Sequence, residues 1–496
     1  MSLKNKTKKF IKLNIVFQPI LMILGLLSSV FVIRNLGTEL YANIVILSAL
    51  SGTISLVTNL GFSQTIIKMW IENDNELIRK SVLITSFFLQ LFLIIVLIIL
   101  LLLFPSSFKS IFGTSFIGVL PEWGIFLIIS SVILSNIFSS ILSAELENKT
   151  TLISSFINSL FVPLWLIYAS FDGSYNTSTI LSVIIIINFL SSLILFVGSL
   201  KFIRKLNLIN VSILSGNLAK KYIKHFLTIT LVRFFTYFSS ISFIAIVMNQ
   251  YNLLTELSYI AIILKIITVI ANIVGIPISK VTGVLFSNAF KDKNEYKMNQ
   301  IYNIVLKYYI FIFFIIFVII FYLSDPIINI LYSIKVENNL FNLFFINMIF
   351  ASILSVANWL TQINEHYKIT LYSSIFAIIS LQISFWFLID FLGIYAILIG
   401  LFFNQLIYSG SSLIYIQNKY LNINFPFLFL IKSIFSITIA LLVGHFITNY
   451  IFASILSFLI FIILFYFTLN ITDDDKFIFS ELGLYKYKKY LPKKFI

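Results

Sequence analysis

The sequence predicts an all-α polytopic membrane protein with about 14 transmembrane helices. Of its 496 residues, 59% are hydrophobic and only 11% are charged, and the mean hydropathy is +1.03. Soluble domains are roughly 45–50% apolar and roughly 25% charged. Apolar runs long enough to cross a bilayer recur along the whole chain, so we expect no separate soluble domain and no catalytic module outside the membrane.

The apolar runs define the predicted spans, and the loop charges orient them. The spans are 11–33, 40–62, 81–104, 122–142, 151–170, 178–200, 222–248, 253–276, 301–323, 340–361, 368–388, 391–416, 426–446 and 449–470. With this assignment, 27 Lys and Arg residues lie on the side of the N-terminus, against 3 on the other side (Arg34, Lys109 and Lys335). The positive-inside rule therefore predicts that both termini are cytoplasmic.

The composition argues against several kinds of site. The chain has no Cys, and its three His residues are far apart in sequence, so we predict neither a metal site nor a cofactor. A net charge of +15 could indicate a nucleic-acid partner, but the basic residues lie in the predicted cytoplasmic loops. That placement is typical of a membrane protein, and we predict no nucleic-acid partner.

Two basic residues are predicted to lie at membrane depth. Arg233 shares a helical face with Thr230, Thr236, Tyr237 and Ser240. Lys265 shares one with Ser258, Thr268 and Asn272. A charge at the centre of a bilayer costs at least ~2.5 kcal/mol, which makes each cation a candidate functional residue.

The sequence offers these cations no acidic partner within the membrane. All 19 Asp and Glu residues fall in predicted loops or at span ends. A buried ion pair would otherwise be the ordinary explanation of an intramembrane Arg. We therefore predict that the counter-charge is an anionic ligand.

The first two spans carry further polar residues with two open interpretations. They are Asn14, Gln18, Gly25 and Ser29 on the first span, and Ser51, Ser55 and Asn59 on the second. Such residues can line a substrate path, or they can serve ordinary helix packing. Pro19 is expected to bend the first span. The predicted substrate-binding set is Arg233, Lys265, Gln18, Asn14, Tyr237 and Asn272.

Two short repeats suggest a duplicated architecture. KFIKLN at Lys9 returns as KYIKHF at Lys221, and TEL at Thr38 returns as TEL at Thr255. Repeats in the same orientation suggest two six-helix halves related by an axis along the membrane normal. The predicted organisation is a six-helix bundle at 1–200, an interfacial linker at 201–221, a second bundle at 222–420, two extra transmembrane helices at 421–470 and a basic tail at 471–496.

The segment 34–70 contains Arg34, Leu36-Gly37, Tyr41 and Leu60-Gly61. In this pattern it resembles the first helical hairpin of the polysaccharide-repeat (Wzx-type O-antigen and capsule) flippases. Further likeness lies in ILSAELENKTTLISSFIN, GIPISKVTGVLFSNAF and IDFLGIYAILIGLFFNQ. The chain departs from the family at Ala42, where members often have Gly.

The resemblance implies a transporter of the multidrug/oligosaccharidyl-lipid/polysaccharide exporter superfamily rather than an enzyme. It implies two bundles around a central cavity with alternating access in the bacterial inner membrane. The implied cargo is an undecaprenyl-diphosphate-linked oligosaccharide moved to the outer leaflet, with Arg233 and Lys265 binding the diphosphate. Membrane lipids, a polysaccharide polymerase and chain-length proteins are the other expected partners.

Two other functions remain open. A multidrug or cation antiporter of the same superfamily would need an acidic residue within the membrane, and the sequence places none there. A membrane glycan polymerase or ligase would need a sizeable outer loop for its catalytic groups. The longest outer loops, about 105–121 and 324–339, are short.

Overall fold

The computed structural model describes residues 3–59, 61–72, 75–144, 148–205, 214, 216–238, 240–251, 253–291, 295–334, 338–363, 367–419 and 425–468. Within these ranges every regular element is a helix. The helices are α1 (Leu3–Leu36), α2 (Thr38–Asn59), α3 (Phe62–Glu72), α4 (Glu76–Leu103), α5 (Pro105–Phe112), α6 (Thr114–Val119), α7 (Gly124–Ala144), α8 (Asn148–Asp172), α9 (Thr177–Lys205), α10 (Gly216–Tyr237), α11 (Ile241–Gln250), α12 (Leu254–Lys291), α13 (Glu295–Phe321), α14 (Ser324–Tyr332), α15 (Asn338–Ile363), α16 (Tyr367–Leu392), α17 (Ile394–Lys419), α18 (Phe427–His445) and α19 (Tyr450–Thr468).

Each predicted span coincides with one helix, or with the bent pair α10–α11. In the described part of the chain, 12 helices are long and apolar enough to cross a membrane, and the bent pair makes 13. The fourteenth predicted span is α19, whose apolar stretch Tyr450–Tyr466 is shorter. The predicted class, an all-α polytopic membrane protein, is confirmed.

The helices form two compact units, Met1–Val269 and Ile270–Ile496. The boundary between these units falls inside α12. The division into two six-helix halves at the 201–221 linker stays a prediction.

In the first unit, small polar residues hold neighbouring helices together. Ser154 on α8 and Ser191 on α9 each donate a hydrogen bond to the other's main-chain carbonyl, at 2.8 and 3.0 Å. Asn35 Nδ2, at the end of α1, donates to the carbonyl of Ser170 on α8 at 3.1 Å. Close packing through Ser and hydrogen bonds between helices are typical of membrane proteins, where lipid supplies no hydrophobic drive.

The second unit uses the same kind of contact. Asn358 Nδ2 on α15 and Gln405 Nε2 on α17 both donate to Ser409 Oγ on α17, at 2.8 and 2.7 Å. Ser454 Oγ on α19 donates to the carbonyl of Ile319 on α13 at 2.7 Å. Gln405 Nε2 also donates to the Ala351 carbonyl on α15 at 3.3 Å, so Asn358 and Gln405 both join α15 to α17.

Large apolar side chains cover much of the protein surface. Phe88 and Phe92 on α4 are 57% and 62% exposed, and Phe387 and Phe391 on α16 are 71% and 85% exposed. Exposed patches of this kind are rare on soluble monomers. They are the expected surface of helices surrounded by lipid.

Candidate functional site

The helix that carries Arg233 ends one turn after it, so the predicted seventh span is not one straight helix. α10 ends at Tyr237, and α11 begins at Ile241 with its axis turned by 44°. Ser240 caps α11, because its side-chain oxygen accepts a hydrogen bond from the Phe243 amide at 3.3 Å. The sequence placed Ser240 on the polar face around Arg233, but the structure gives it this capping role instead.

Aromatic rings pack around the bend between α10 and α11. The Phe238 ring lies 5.1 Å from the Phe234 ring and 4.9 Å from the Phe243 ring, both in edge-to-face geometry. The Tyr237 and Phe243 rings are 6.1 Å apart. Because edge-to-face ring pairs are favourable beyond their buried area, this cluster stabilises the bend.

A series of contacts fixes α10 against the first helices of the chain. Its Tyr222 hydroxyl lies 2.6 Å from Ser86 Oγ on α4, and its His225 Nδ1 lies 3.2 Å from Thr65 Oγ1 on α3. Tyr222 is also part of an apolar cluster with α3, α4, α7 and α9. These contacts fix α10 over its first half.

The second half of α10 runs along α2. A Cβ on Gly61, which follows α2 and has φ +93°, would lie 2.7 Å from Ile229 Cγ2. At the other end, the Tyr237 hydroxyl is hydrogen-bonded to Thr53 Oγ1. Arg233 lies midway between Ile229 and Tyr237 on α10, so it is level with the segment of α2 between Thr53 and Gly61.

Arg233 is half-buried, and none of the described residues forms an ion pair with it. Its neighbour Thr236 uses its hydroxyl to donate to the Arg233 carbonyl at 3.1 Å, which leaves the guanidinium unaffected. Tyr237, one turn later, is held by Thr53. The guanidinium therefore sits on a helix that is fixed at both ends.

Lys265 faces the other end of α2. Its Nζ lies 5.7 Å from the centre of the Tyr41 ring, a cation–π contact. Two turns earlier on the same face of α12, Ser258 Oγ donates to the carbonyl of Thr38 at 2.7 Å. No carboxylate of the described residues pairs with Lys265. The predicted polar stripe of α12 is therefore turned towards the first turns of α2, at least from Ser258 to Lys265.

The structure thus places the two predicted cations at different levels of α2. Lys265 contacts Tyr41, whereas Arg233 is level with Thr53 or beyond. The 12 residues between Tyr41 and Thr53 correspond to ~18 Å of helix at ~1.5 Å per residue. Asn272 lies on α12 seven residues beyond Lys265 and is half-buried. The side chains of Asn14 and Gln18 lie outside the described residues.

The polar stripe predicted on α2 divides into two parts. Asn59 is buried, and its side-chain oxygen accepts from the amide and hydroxyl of Ser63, so it caps the start of α3. Ser48 is exposed, and Ser51 and Ser55 are partly exposed on the same face. Sequence reasoning missed Ser48 and Thr53, although Ser48 lies two turns after Tyr41 on one helical face.

Carboxylates are absent from the middle of every described span. The Asp and Glu residues with described side chains lie in loops or near the ends of helices. Glu39 and Glu256, for example, lie in the first turns of α2 and α12. Within the same residues, no three His, Asp or Glu side chains lie close enough to hold a metal ion. The charged groups that the described helices carry at depth are therefore cationic.

Comparison with known proteins relates the fold to membrane transporters. The sequence matches no protein-family model and no curated protein sequence. The structure is similar to that of the lipid II flippase MurJ in an inward closed conformation, with TM-score 0.66 and 17% identity over 93% of this chain and 98% of that one.

A second similar structure is an inward-facing multidrug resistance MATE family transporter of the MOP superfamily. It has TM-score 0.58 and 14% identity over 81% of this chain and 95% of that one. At these identities the likeness establishes the fold alone. The protein shares the fold of a lipid II flippase and of a multidrug resistance transporter.

Proposed function

We propose that this protein is a flippase that moves an undecaprenyl-diphosphate-linked oligosaccharide from the cytoplasmic to the outer leaflet by alternating access. The observation that carries the proposal is the pair Arg233 and Lys265. Both lie on apolar helices, both are partly exposed, and neither has a carboxylate partner among the described residues. Cations on apolar helices that lack a carboxylate partner fit an anionic cargo.

The chemistry of a lipid diphosphate matches these two residues. A guanidinium binds phosphate oxygens with two parallel hydrogen bonds, and an ammonium binds as a compact point charge. A lipid-linked diphosphate must carry its negative charge through the bilayer interior, where water is scarce and such contacts are strong. The likeness to a lipid II flippase supports this class of cargo.

The charge distribution weighs against the two alternative functions. A cation antiporter needs an intramembrane carboxylate, and the described spans have none away from their ends. A glycan polymerase or ligase needs a catalytic module outside the bilayer. The segment between α4 and α7 forms only the short helices α5 and α6. The likeness to multidrug transporters leaves the antiporter as the second candidate.

The deciding experiment is uptake of labelled undecaprenyl-diphosphate-linked oligosaccharide into inverted membrane vesicles. We expect the wild-type protein to transport it, and Arg233→Ala and Lys265→Ala to lose most of the rate. Lys432→Ala removes a cation six residues into α18 and is the matched control, with a rate near wild type. Normal uptake by both of the first two variants would contradict the proposed function.

A further inference from the structure

We infer that Arg233 and Lys265 bind the diphosphate in succession, Arg233 first and Lys265 last, with the hydroxyl-bearing face of α2 between them. This inference rests on the proposed function and on the predicted cytoplasmic position of both termini. With that orientation, α2 begins on the outer side and ends on the cytoplasmic side. Arg233 is then the inner cation and Lys265 the outer one.

The separation of the two cations excludes simultaneous binding in this structure. Their levels on α2 differ by at least the 12 residues from Tyr41 to Thr53, or ~18 Å of helix. A diphosphate has two phosphorus atoms joined by one oxygen, so its charged part covers only a small fraction of that length. One headgroup therefore cannot contact both side chains at once.

The directions of the side chains widen the separation. Long side chains on a helix lean towards its N-terminus. Ser258 lies beside Thr38, and Lys265, seven residues later, contacts Tyr41 only three residues further along α2. Lys265 thus leans towards the start of α12. Arg233 is expected to lean the opposite way, towards Ile229 and Gly61, because α10 runs antiparallel to α2.

Hydroxyl groups occupy the interval between the two cations. Ser48, Ser51 and Ser55 share one face of α2, and Ser48 is exposed. The hydroxyls of Ser48 and Ser51 donate to carbonyls of their own helix, both at 3.1 Å. A hydroxyl can rotate and donate to a phosphate oxygen instead. Ser48 is ~10 Å from Tyr41 along the helix, about halfway to the level of Arg233.

The order of the two residue types suits capture followed by release. Arg holds a phosphate group with two hydrogen bonds, whereas Lys holds it as a single charge. Transport requires binding that is strong enough to draw the cargo in and weak enough to let it leave. Lys265 also has the Tyr41 ring as a partial substitute for the anion. The outer cation is therefore the weaker of the two binding groups.

Equilibrium binding to purified protein tests the order. Nanodiscs of phosphatidylcholine would contain the wild-type protein, Arg233→Ala, Lys265→Ala, the double variant or the control Lys432→Ala. The probe is undecaprenyl diphosphate, and phosphatidylglycerol is the arm that tests for a general anionic lipid. We expect Arg233→Ala to weaken binding of the probe at least ~10-fold, as loss of a charged hydrogen bond does. Lys265→Ala should change the affinity for the probe less than twofold while still removing most of the uptake into vesicles.

Other outcomes distinguish a failure of the proposed order of binding from a failure of the proposed function. Equal loss of binding in both single variants, with no further loss in the double variant, would show one shared site and overturn the succession while leaving the proposed function intact. If the wild-type protein binds phosphatidylglycerol as tightly as the probe, both the successive binding and the proposed function would be overturned. Where an alanine variant fails to fold, spin labels on Arg233→Cys and Lys265→Cys in this cysteine-free chain measure the separation directly. The succession requires a distance longer than ~18 Å.

Discussion

Arg233 owes its position to contacts that lie on either side of it along α10. Ile229 packs on Gly61, and Tyr237 is hydrogen-bonded to Thr53. The sequence identified Arg233 and Lys265 because charge at membrane depth is visible in any apolar run. It could not identify Thr53, because its contact with Tyr237 depends on which helices pair across about 180 residues of chain.

The two parallel hydrogen bonds that a guanidinium can form lead to a separate prediction for Arg233. Arg233→Lys keeps the charge but loses the second hydrogen bond, so we expect a transport rate between those of wild type and Arg233→Ala. The measurement is initial uptake of the labelled lipid-linked glycan into inverted vesicles at matched protein levels. A rate for Arg233→Lys equal to wild type would show that charge alone is needed at this position.

The hydrogen bond between Tyr237 and Thr53 can be tested separately from the cation. Thr53 Oγ1 also bonds to the Ala49 carbonyl at 2.9 Å, so Tyr237→Phe leaves no orphaned hydroxyl. We expect a loss of ~0.5–1.5 kcal/mol in stability, together with slower transport because Arg233 is one turn away. Thermal unfolding in detergent measures the stability, and Tyr450→Phe, at an exposed site, is the control. An unchanged melting temperature and an unchanged rate would count against the contact.

At the scale of elements, the spans were predictable and their interruptions were not. Long apolar runs with basic loops identify membrane helices by composition alone. The bend between α10 and α11 falls at Phe238–Ser240, where no Pro or Gly marks a break. The sequence likewise shows no sign of α3 as a separate helix, and the predicted second span, 40–62, ends on its first residue, Phe62.

Gly61, the second residue of the Leu60-Gly61 pair, has a structural explanation. Gly61 has φ +93°, which other residues adopt only with strain, and α10 approaches it too closely for a Cβ. We expect Gly61→Ala to cost at least ~1–3 kcal/mol and to displace Ile229 and Arg233. The measurement is the melting temperature together with transport. Gly118→Ala, at a site with no heavy atom within 4 Å, should leave both unchanged. Equal effects of the two substitutions would contradict the explanation.

At the scale of the whole molecule, the topology predicted from the loop charges can be tested with an impermeant thiol reagent. A cysteine at Asp172 should react in intact cells, and one at Asn217 should react only in inverted vesicles. Both residues are exposed, so accessibility does not limit the reaction. Asn249 is unsuitable for this purpose because its side chain is buried and donates to the Phe112 carbonyl at 2.6 Å. Labelling at Asn217 from outside would invalidate the predicted orientation.

Energy coupling is the second question at this scale. A proton carrier would need a titratable side chain within the membrane, and His445, which lies within the predicted span 426–446, is exposed at the end of α18. We expect His445→Ala to transport normally. The membrane potential should drive the anionic headgroup towards a positive exterior, at ~2.3 kcal/mol per charge per 100 mV. Transport into vesicles, measured with the membrane potential and the pH gradient imposed separately, shows which of the two drives it. A strict requirement for the pH gradient, lost in His445→Ala, would make His445 the carrier.

The uninterrupted course of α12 has a mechanical consequence. Its 38 residues give a rod ~57 Å long, against ~33 Å for the 22 residues of α2, its counterpart in the repeat. Rotating each rod by ~10° about its N-terminal end would move the far end of α12 by ~10 Å and that of α2 by only ~6 Å. In the predicted repeat, the same rotation therefore displaces the far end of α12, the helix that carries Lys265, further than the far end of α2.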